Sequence, residues 1–362
     1  MIELTGKCNT AKVFTDKMDE ATISQVIQLL NQPFLKNSLI RIMPDCHAGK
    51  GCVVGTTMTL NDVVVPNLVG VDIGCGMLAV KLDKKDINLS KLDNVIKSFN
   101  VRPRSIKKFE KIEEMNCAPQ FDNKIISKAY DSLGTLGGGN HFIEVNKDFQ
   151  KNLWLVIHTG SRHLGVAVCN YYQNKAIERC EGLGIPEELC YLEGPWFKDY
   201  LHDMSIAQEY AKINRQTIKE NILDLMALEE VESFDTIHNY IDTDRRILRK
   251  GAISAQLKEK VLIPMNMKDG SLICYGRGNL DWNSSAPHGA GRILSRSQAK
   301  AKLDLEEFKK TMDGIYSTSV SKSTLDEAPM AYKPIDEILK NIGEETVFVT
   351  DIIKPIYNFK AH

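Results

Sequence analysis

Apolar positions along the chain alternate between a helical and a strand period. Residues 22–30 space their apolar side chains at helical intervals, and 39–43 follow as a short buried strand that delivers a loop at 44–51. Residues 52–60 and 63–69 are rich in strand formers, 77–82 continue as a strand, and 86–100 read as a helix. Residues 102–120 are charged and irregular. In 142–145 a period of two places His141, Ile143 and Val145 on one face, with Phe142 and Glu144 on the other. The apolar run 153–157 suits a central strand.

From about 166 to 232 the character turns helical. Leu201, Met204, Ala207, Ala211 and Ile218 trace an apolar stripe, and Lys212, Arg215 and Lys219 on other faces read as solvated surface. Strand patterns return at 261–264 and 272–275, around a Lys268-Asp269-Gly270 turn. A helix opens at about 293–302, residues 305–342 mix helix and loop, and 347–353 with 356–359 close the chain as strands. The pattern predicts an α+β fold, a β-rich, sandwich-like core surrounded by helices. No repeat, low-complexity tract or linker interrupts it, so residues 1–362 are expected to form a single domain with a mainly helical excursion at about 166–232.

Composition narrows the function classes. The 362 residues carry a net charge of −1, which gives no global attraction for a polyanion, so a nucleic-acid site has to be a local basic patch. Arg102, Arg104, Lys107, Lys108 and Lys111 form one such cluster, either a solvated loop or a phosphate-backbone contact. Nine cysteines without CxxC pairs, and a polar start without a signal peptide, fit a reducing cytoplasm. No run approaches the ~18 apolar residues of a membrane span, and no membrane partner is expected. Cys46 and Cys52 fit no zinc-knuckle spacing.

Candidate chemistry gathers on the loops. Val71-Asp72-Ile73-Gly74-Cys75-Gly76 sets a carboxylate and a thiol three residues apart in a bent, glycine-flanked turn. Alone it reads equally as a buried cysteine beside a turn-capping aspartate. His47, His141, His158, His238 and His288 all fall beside glycine or small polar residues near strand ends. With Asp72 and Cys75 they supply enough nitrogen, oxygen and sulfur donors for two transition-metal ions. Arg162, Lys250 and Arg292 recur in the same stretches and suit phosphate. The residues therefore point to a dinuclear metalloenzyme of phosphoryl chemistry. His288, between Pro287 and Gly289-Ala290-Gly291, suits either a ligand or a phosphoramidate nucleophile. Residues 133–139 hold four glycines in six positions but no Walker or GxGxxG pattern.

Pro44-Asp45-x-His47, Gly70-Val71-Asp72-Ile73-Gly74-Cys75-Gly76, Gly137-Gly138-Gly139-Asn140-His141-Phe142, His158-Thr159-Gly160-Ser161-Arg162, His238-Asn239-Tyr240, Arg249-Lys250-Gly251-Ala252 and His288-Gly289-Ala290-Gly291-Arg292 together resemble the RtcB family of RNA-splicing ligases, here as a short, bacterial-type member. The resemblance implies a GTP- and manganese-dependent ligase that joins a 2′,3′-cyclic phosphate or 3′-phosphate RNA end to a 5′-hydroxyl end. Its substrates would be broken tRNA or rRNA. It also implies Asp72, Cys75 and His141 as ligands of one manganese, Cys75, His158 and His238 of a second, and His288 as the guanylylated nucleophile. Asp45, Arg162 and Lys250 would line the same site. Asn140, Phe142, Glu144, Asn266, Ser271, Gly289, Ala290, Gly291, Arg292 and Lys360 would contact the nucleotide, with Glu144 and Lys360 on the guanine base. A monomer is expected, with room for an activating protein partner. The alternative is a dinuclear metallophosphoesterase or nucleotidyl hydrolase without ligation.

Three departures stand out. His163 follows Arg162 where the family commonly has glycine, the 263–271 segment departs from the family's Pro-Gly-Ser-Met-Gly run, and the chain is short. They leave open RNA repair as against tRNA splicing.

Overall fold

The computed structural model describes residues 1–101, 109–343 and 345–360. In chain order the strands are β1 (Ile2–Thr5), β2 (Thr10–Val13), β3 (Ile40–His47), β4 (Val54–Thr59), β5 (Val63–Val64), β6 (Gly76–Leu82), β7 (Phe142–Lys147), β8 (Leu153–Thr159), β9 (Leu192–Glu193), β10 (Glu230–Ile237), β11 (Asn239–Asp242), β12 (Ile247–Lys250), β13 (Ala252–Ser254), β14 (Lys260–Asn266), β15 (Gly270–Gly276), β16 (Ser285–Pro287) and β17 (Val347–Phe359). The α-helices are α1 (Glu20–Leu30), α2 (Leu89–Val101), α3 (Asn123–Ser132), α4 (Arg162–Arg179), α5 (Gly194–Met226), α6 (Arg296–Lys302), α7 (Leu305–Thr311) and α8 (Ile335–Ile342). The fold is mixed α and β, as expected.

Two large sheets carry the molecule. One runs β1-β2-β3-β4-β12-β11 and the other β10-β6-β8-β7-β17-β15-β14. The edges of the second sheet approach each other, because Leu262 N on β14 donates to Thr236 Oγ1 on β10 at 3.0 Å. The sheet thus curls around an apolar interior of Met77, Ala79, Phe142, Trp154, Val156, Leu262, Ile273 and Ile353. Its other face turns Leu78, Val80, Ile143, Val145, Leu155 and Ile157 onto Leu92 and Ile96 of α2 and Ile218 and Ile222 of α5. The period of two read at 142–145 produces this partition: Ile143 and Val145 go to the helices, Phe142 and Glu144 to the opposite side.

Several elements differ from the pattern reading. Residues 44–47 belong to β3 rather than to a loop, with the ladder to β4 shifting register between Ile42 and His47. The helical segment begins at Arg162 and is a hairpin of α4 and α5, after which β10 already starts at Glu230. β17 is one 13-residue strand with a bulge between Pro355 and Tyr357, not two strands. The helix expected from 293 begins only at Arg296, where Ser295 and Gln298 form a capping box. Of the basic cluster, Arg102, Arg104, Lys107 and Lys108 lie outside the described residues. Lys111 pairs with Glu209 at 2.7 Å on the surface.

Candidate metal and nucleotide site

Register decides the site. Gly76 pairs with Ile237 on one side and with Thr159 on the other, and His158 pairs with Phe142. The order β10-β6-β8-β7 therefore lines up His238, Cys75, His158 and His141 at one end of four adjacent strands. His238 is also the single residue between β10 and β11, where the chain passes from one sheet to the other. The site lies at that junction.

The donor atoms converge. Cys75 Sγ is 3.5 Å from His141 Nε2 and 3.3 Å from His158 Nε2, His158 Nε2 is 3.5 Å from His238 Nε2, and His141 Nε2 is 2.9 Å from Asp72 Oδ2. Two groups emerge, Cys75-His158-His238 and Asp72-Cys75-His141, each with donor atoms within 4.8 Å of one another. The rings are aimed from behind: Leu136 O faces His141 Nδ1 at 3.0 Å and Asn140 O faces His158 Nδ1 at 3.1 Å. Such outer hydrogen bonds leave Nε2 as the inward donor. His238 Nδ1 is buried without a partner among the described residues.

Electrostatics point the same way. Burial, and then the positive charge of neighbouring groups, push His158 and His238 well below the ordinary imidazole range, so both are neutral donors at pH 7. Burial, and then the Asp72 charge, push the Cys75 thiol well up. Burial also works against the Asp72 carboxylate, yet the His141 charge and hydrogen bond outweigh it and hold Asp72 at about 2. A buried thiol beside a carboxylate is unfavourable as a thiolate by itself, and a divalent cation reverses that balance. Imidazole, thiolate and carboxylate in this proportion fit borderline transition-metal ions, not calcium or magnesium alone.

Beside this cluster opens a cleft of about 390 Å³. Asn140, Phe142, Glu144, Lys250, Asn266, Gly289, Ala290, Gly291, Arg292 and Lys360 line it together with His288, whose ring centroid is 5.0 Å from that of His238. Asp45, fully buried, sits behind His288: its Oδ2 accepts from His288 Nδ1 at 2.7 Å and from His288 N at 3.1 Å. Gly291 makes this approach possible, since a Cβ there would lie 2.5 Å from Asp45 O. Lys250 Nζ donates to Asn67 O at 2.8 Å and to Lys50 O.

Glu144, also in the cleft wall, is buried, and Asn358 Nδ2 donates to its Oε1 at 2.6 Å. Burial pushes Glu144 up to about 7. Lys360 Nζ lies 5.4 Å from the Phe142 ring centroid and donates to Glu327 Oε2 at 2.9 Å. Glu327 also accepts from Arg296 at 2.6 Å and Tyr332 OH at 2.8 Å. Burial opposes its charge, but Lys360 and Arg296 hold the carboxyl at about 2.

Some expected residues fall elsewhere. Ser271 is fully buried in β15 between its ladder partners and does not reach the cleft. Asn266 lines the cleft, but its amide closes its own turn, donating to Asp269 Oδ2 and accepting from Lys268 N and Asp269 N. Arg162 lies over Gly137, where a Cβ would meet the guanidinium; it is outside the cleft wall but near enough to Asp72 and Cys75 to feel their charge. His163 is exposed on the first turn of α4, away from the cleft. Arg215, expected in solvent, is fully buried. The pattern also gave no sign of Glu327, Asn358 or Tyr332. The acidic pair Asp326-Glu327, set between Leu325 and Ala328-Pro329, was the available hint.

The chain is similar to known proteins over most of its length. The tRNA-splicing ligase RtcB family matches residues 25–108 and 98–361. The RNA-splicing ligase RtcB of Escherichia coli strain K12 is 30% identical over 385 residues, covering 93% of this chain and 91% of that protein. The tRNA-splicing ligase RtcB of Aeropyrum pernix is 28% identical over 399 residues, covering 82% of each chain. That of Nanoarchaeum equitans is 28% identical over 429 residues, covering 91% of this chain and 89% of its own. With the match running over nearly the whole chain, the protein belongs to the tRNA-splicing ligase RtcB family and is an RNA ligase.

Proposed function

We propose that the enzyme joins RNA 2′,3′-cyclic phosphate or 3′-phosphate ends to 5′-hydroxyl ends, with GTP as co-substrate, two manganese ions, and His288 as the guanylylated nucleophile. The observation that carries this reading is the Asp45–His288 pair, set 5.0 Å between ring centroids from the donor cluster. Asp72, Cys75 and His141 would hold one ion and Cys75, His158 and His238 the other. When bound, the ions supply Lewis-acid neutralisation of charge on phosphate oxygens.

The side chains do the rest. Asp45 accepts the Nδ1 proton of His288 and leaves the Nε2 lone pair free toward the cleft. Nε2 attacks the α-phosphorus of GTP; an N–P bond forms, and the bond to pyrophosphate breaks. The RNA 3′-phosphate then takes the GMP, freeing His288. The 5′-hydroxyl attacks that activated end and GMP leaves. Any cyclic phosphate is first opened to a 3′-phosphate.

Glu144, when ionised, accepts from guanine N1–H and the 2-amino group together, a donor pair that adenine lacks. Lys360 donates to guanine O6. Asn140, Arg292 and Lys250 line the cleft; Asn140 and Arg292 would contact the phosphates and Lys250 the reacting groups. The enzyme is read as a monomeric single domain, and an activating protein partner is compatible with it. Nine free thiols suit a reducing cytoplasm, and no described helix is long and apolar enough to cross a membrane.

The test is incubation with manganese and α-labelled GTP. An acid-labile protein–GMP adduct is expected, absent in His288→Ala. A wild type that forms no adduct and joins no RNA ends overturns the reading.

A further inference from the structure

The α4–α5 hairpin does more than pad the second sheet. Asn214 and Arg215, adjacent on α5, are both fully buried. Arg215 Nη1 donates to two carbonyls at once, Gly74 O at 2.8 Å and Thr159 O at 2.9 Å. Gly74 O belongs to the peptide joined to Cys75, and Thr159 is the residue after His158. The remaining guanidinium edge is forked onto Asp235, Nε to Oδ1 at 2.7 Å and Nη2 to Oδ2 at 2.6 Å. Asp235 stands on β10, three residues before His238. One guanidinium thus ties together the backbones that present Cys75, His158 and His238.

Asn214 extends the clamp. Its Oδ1 accepts from Gly134 N at 2.7 Å, and its Nδ2 faces Thr135 O at 3.1 Å and Gly160 O at 3.2 Å. The glycine-rich loop that leads to His141 is therefore held from the same helix turn. Close packing allows the reach: Gly74 has φ +68, and a Cβ there would sit 2.9 Å from Gln208 Cα on α5.

A buried arginine needs a reason. Burying a cation is costly unless it is paired and hydrogen-bonded, and a methionine or leucine would satisfy simple packing on the apolar stripe. Arg215 lies on the buried side of α5 with Ala211, Ile218 and Ile222, not on a solvent face as the pattern suggested. What an apolar residue cannot do there is fix carbonyl positions. Lysine cannot do it either, having no planar fork to span two carbonyls and a carboxylate.

We propose that Arg215, with Asn214 beside it and Asp235 behind it, is a positioning residue that sets the spacing of Cys75, His158 and His238 for one of the two ions. The proposal rests on the metal reading above. Its test reads metal binding, not ligation. Arg215→Lys and Asp235→Asn are titrated with Mn²⁺, followed by paramagnetic resonance, and with Co²⁺, followed by the thiolate-to-cobalt absorption band. A third variant, Leu92→Ala, removes packing of α2 against the sheet without touching the Arg215 hydrogen bonds and serves as a control for general destabilisation.

Both clamp variants are expected to lower the affinity for one ion by about 10- to 100-fold and to shift the cobalt band, as loss of outer hydrogen bonds does at metal sites. Leu92→Ala, at an equal or lower melting temperature, is expected to bind two ions as the wild type does. Wild-type affinity and band in both clamp variants overturn the proposal, and so does an equal loss in Leu92→Ala. A wild type that binds no ion overturns the metal reading itself, a result distinct from either.

Discussion

Asp45 Oδ2 accepts the His288 Nδ1 proton at 2.7 Å, and the same oxygen accepts from the His288 backbone amide at 3.1 Å. One carboxylate oxygen thereby sets both the ring and the main chain of His288. An amide at position 45 can donate to Nδ1 instead, which moves the ring proton to Nε2. Asp45→Asn is therefore expected to slow formation of the protein–GMP adduct by on the order of 10²–10⁴-fold. Manganese affinity, measured in the same samples, is expected to stay within about twofold. A normal adduct rate would remove Asp45 from the mechanism.

Cys75 stands in both donor groups. Cys75→Ser replaces the shared thiol with a weaker ligand, so both ions are expected to lose affinity together. Anomalous scattering from crystals grown in manganese would show occupancy falling at both positions. Loss at one position alone would contradict a shared sulfur.

The guanine contact proposed for Glu144 would make base choice depend on pH. Burial raises its carboxyl from 4.5 to about 7, so the folded chain holds this proton more tightly than the unfolded one. The resulting stability is full below about pH 4.5 and is lost as pH rises through about 7. Wild type should therefore lose melting temperature relative to Glu144→Gln between ~pH 5 and ~pH 8. GTP binding runs the opposite way, strengthening as Glu144 ionises. Glu144→Gln is expected to cut the preference for GTP over ATP by roughly 10- to 100-fold, the worth of a hydrogen-bond pair to a charged acceptor. Unchanged selectivity in competition binding would assign the base contact elsewhere.

Glu327 has the opposite sign. Lys360 and Arg296 outweigh burial and lower its carboxyl from 4.5 to about 2. Its contribution to stability is present above about pH 4.5 and disappears as pH falls toward about 2. Glu327→Gln leaves buried cationic groups undercompensated and is expected to cost roughly 3–5 kcal/mol near neutrality. Chemical denaturation at pH 7 and pH 3 checks this: the gap between wild type and variant should narrow at the lower pH. An equal gap at both would show that the side chain acts by shape alone.

The readable part of the site was local. Asp72 and Cys75 share one bent turn, and His141, His158, His238 and His288 each sit in a short stretch with glycines and small polar residues. Those stretches carry their own chemistry, so residue type and order sufficed to name them. Arg215 was misread because helical periodicity reports which face is apolar, not which polar residue has found partners. The buried side that Ser271 takes on β15 was not legible, because it depends on pairing with β14 and β17, at Pro264 and Ile353.

The sequence by itself determined the donor types, the family, the α-and-β character of the fold, and the faces of β7. Each of these rests on residues near one another in the chain. Only the tertiary structure decided that His238, Cys75, His158 and His141 stand side by side, because that alignment comes from the register of β10, β6, β8 and β7. It also decided that Asp45 lies behind His288, 243 positions away, that Glu327 gathers the cations around Lys360, and that α5 holds the ligand loops from below. Such contacts join residues far apart in the chain, and long-range pairing leaves no period in the sequence from which to read them.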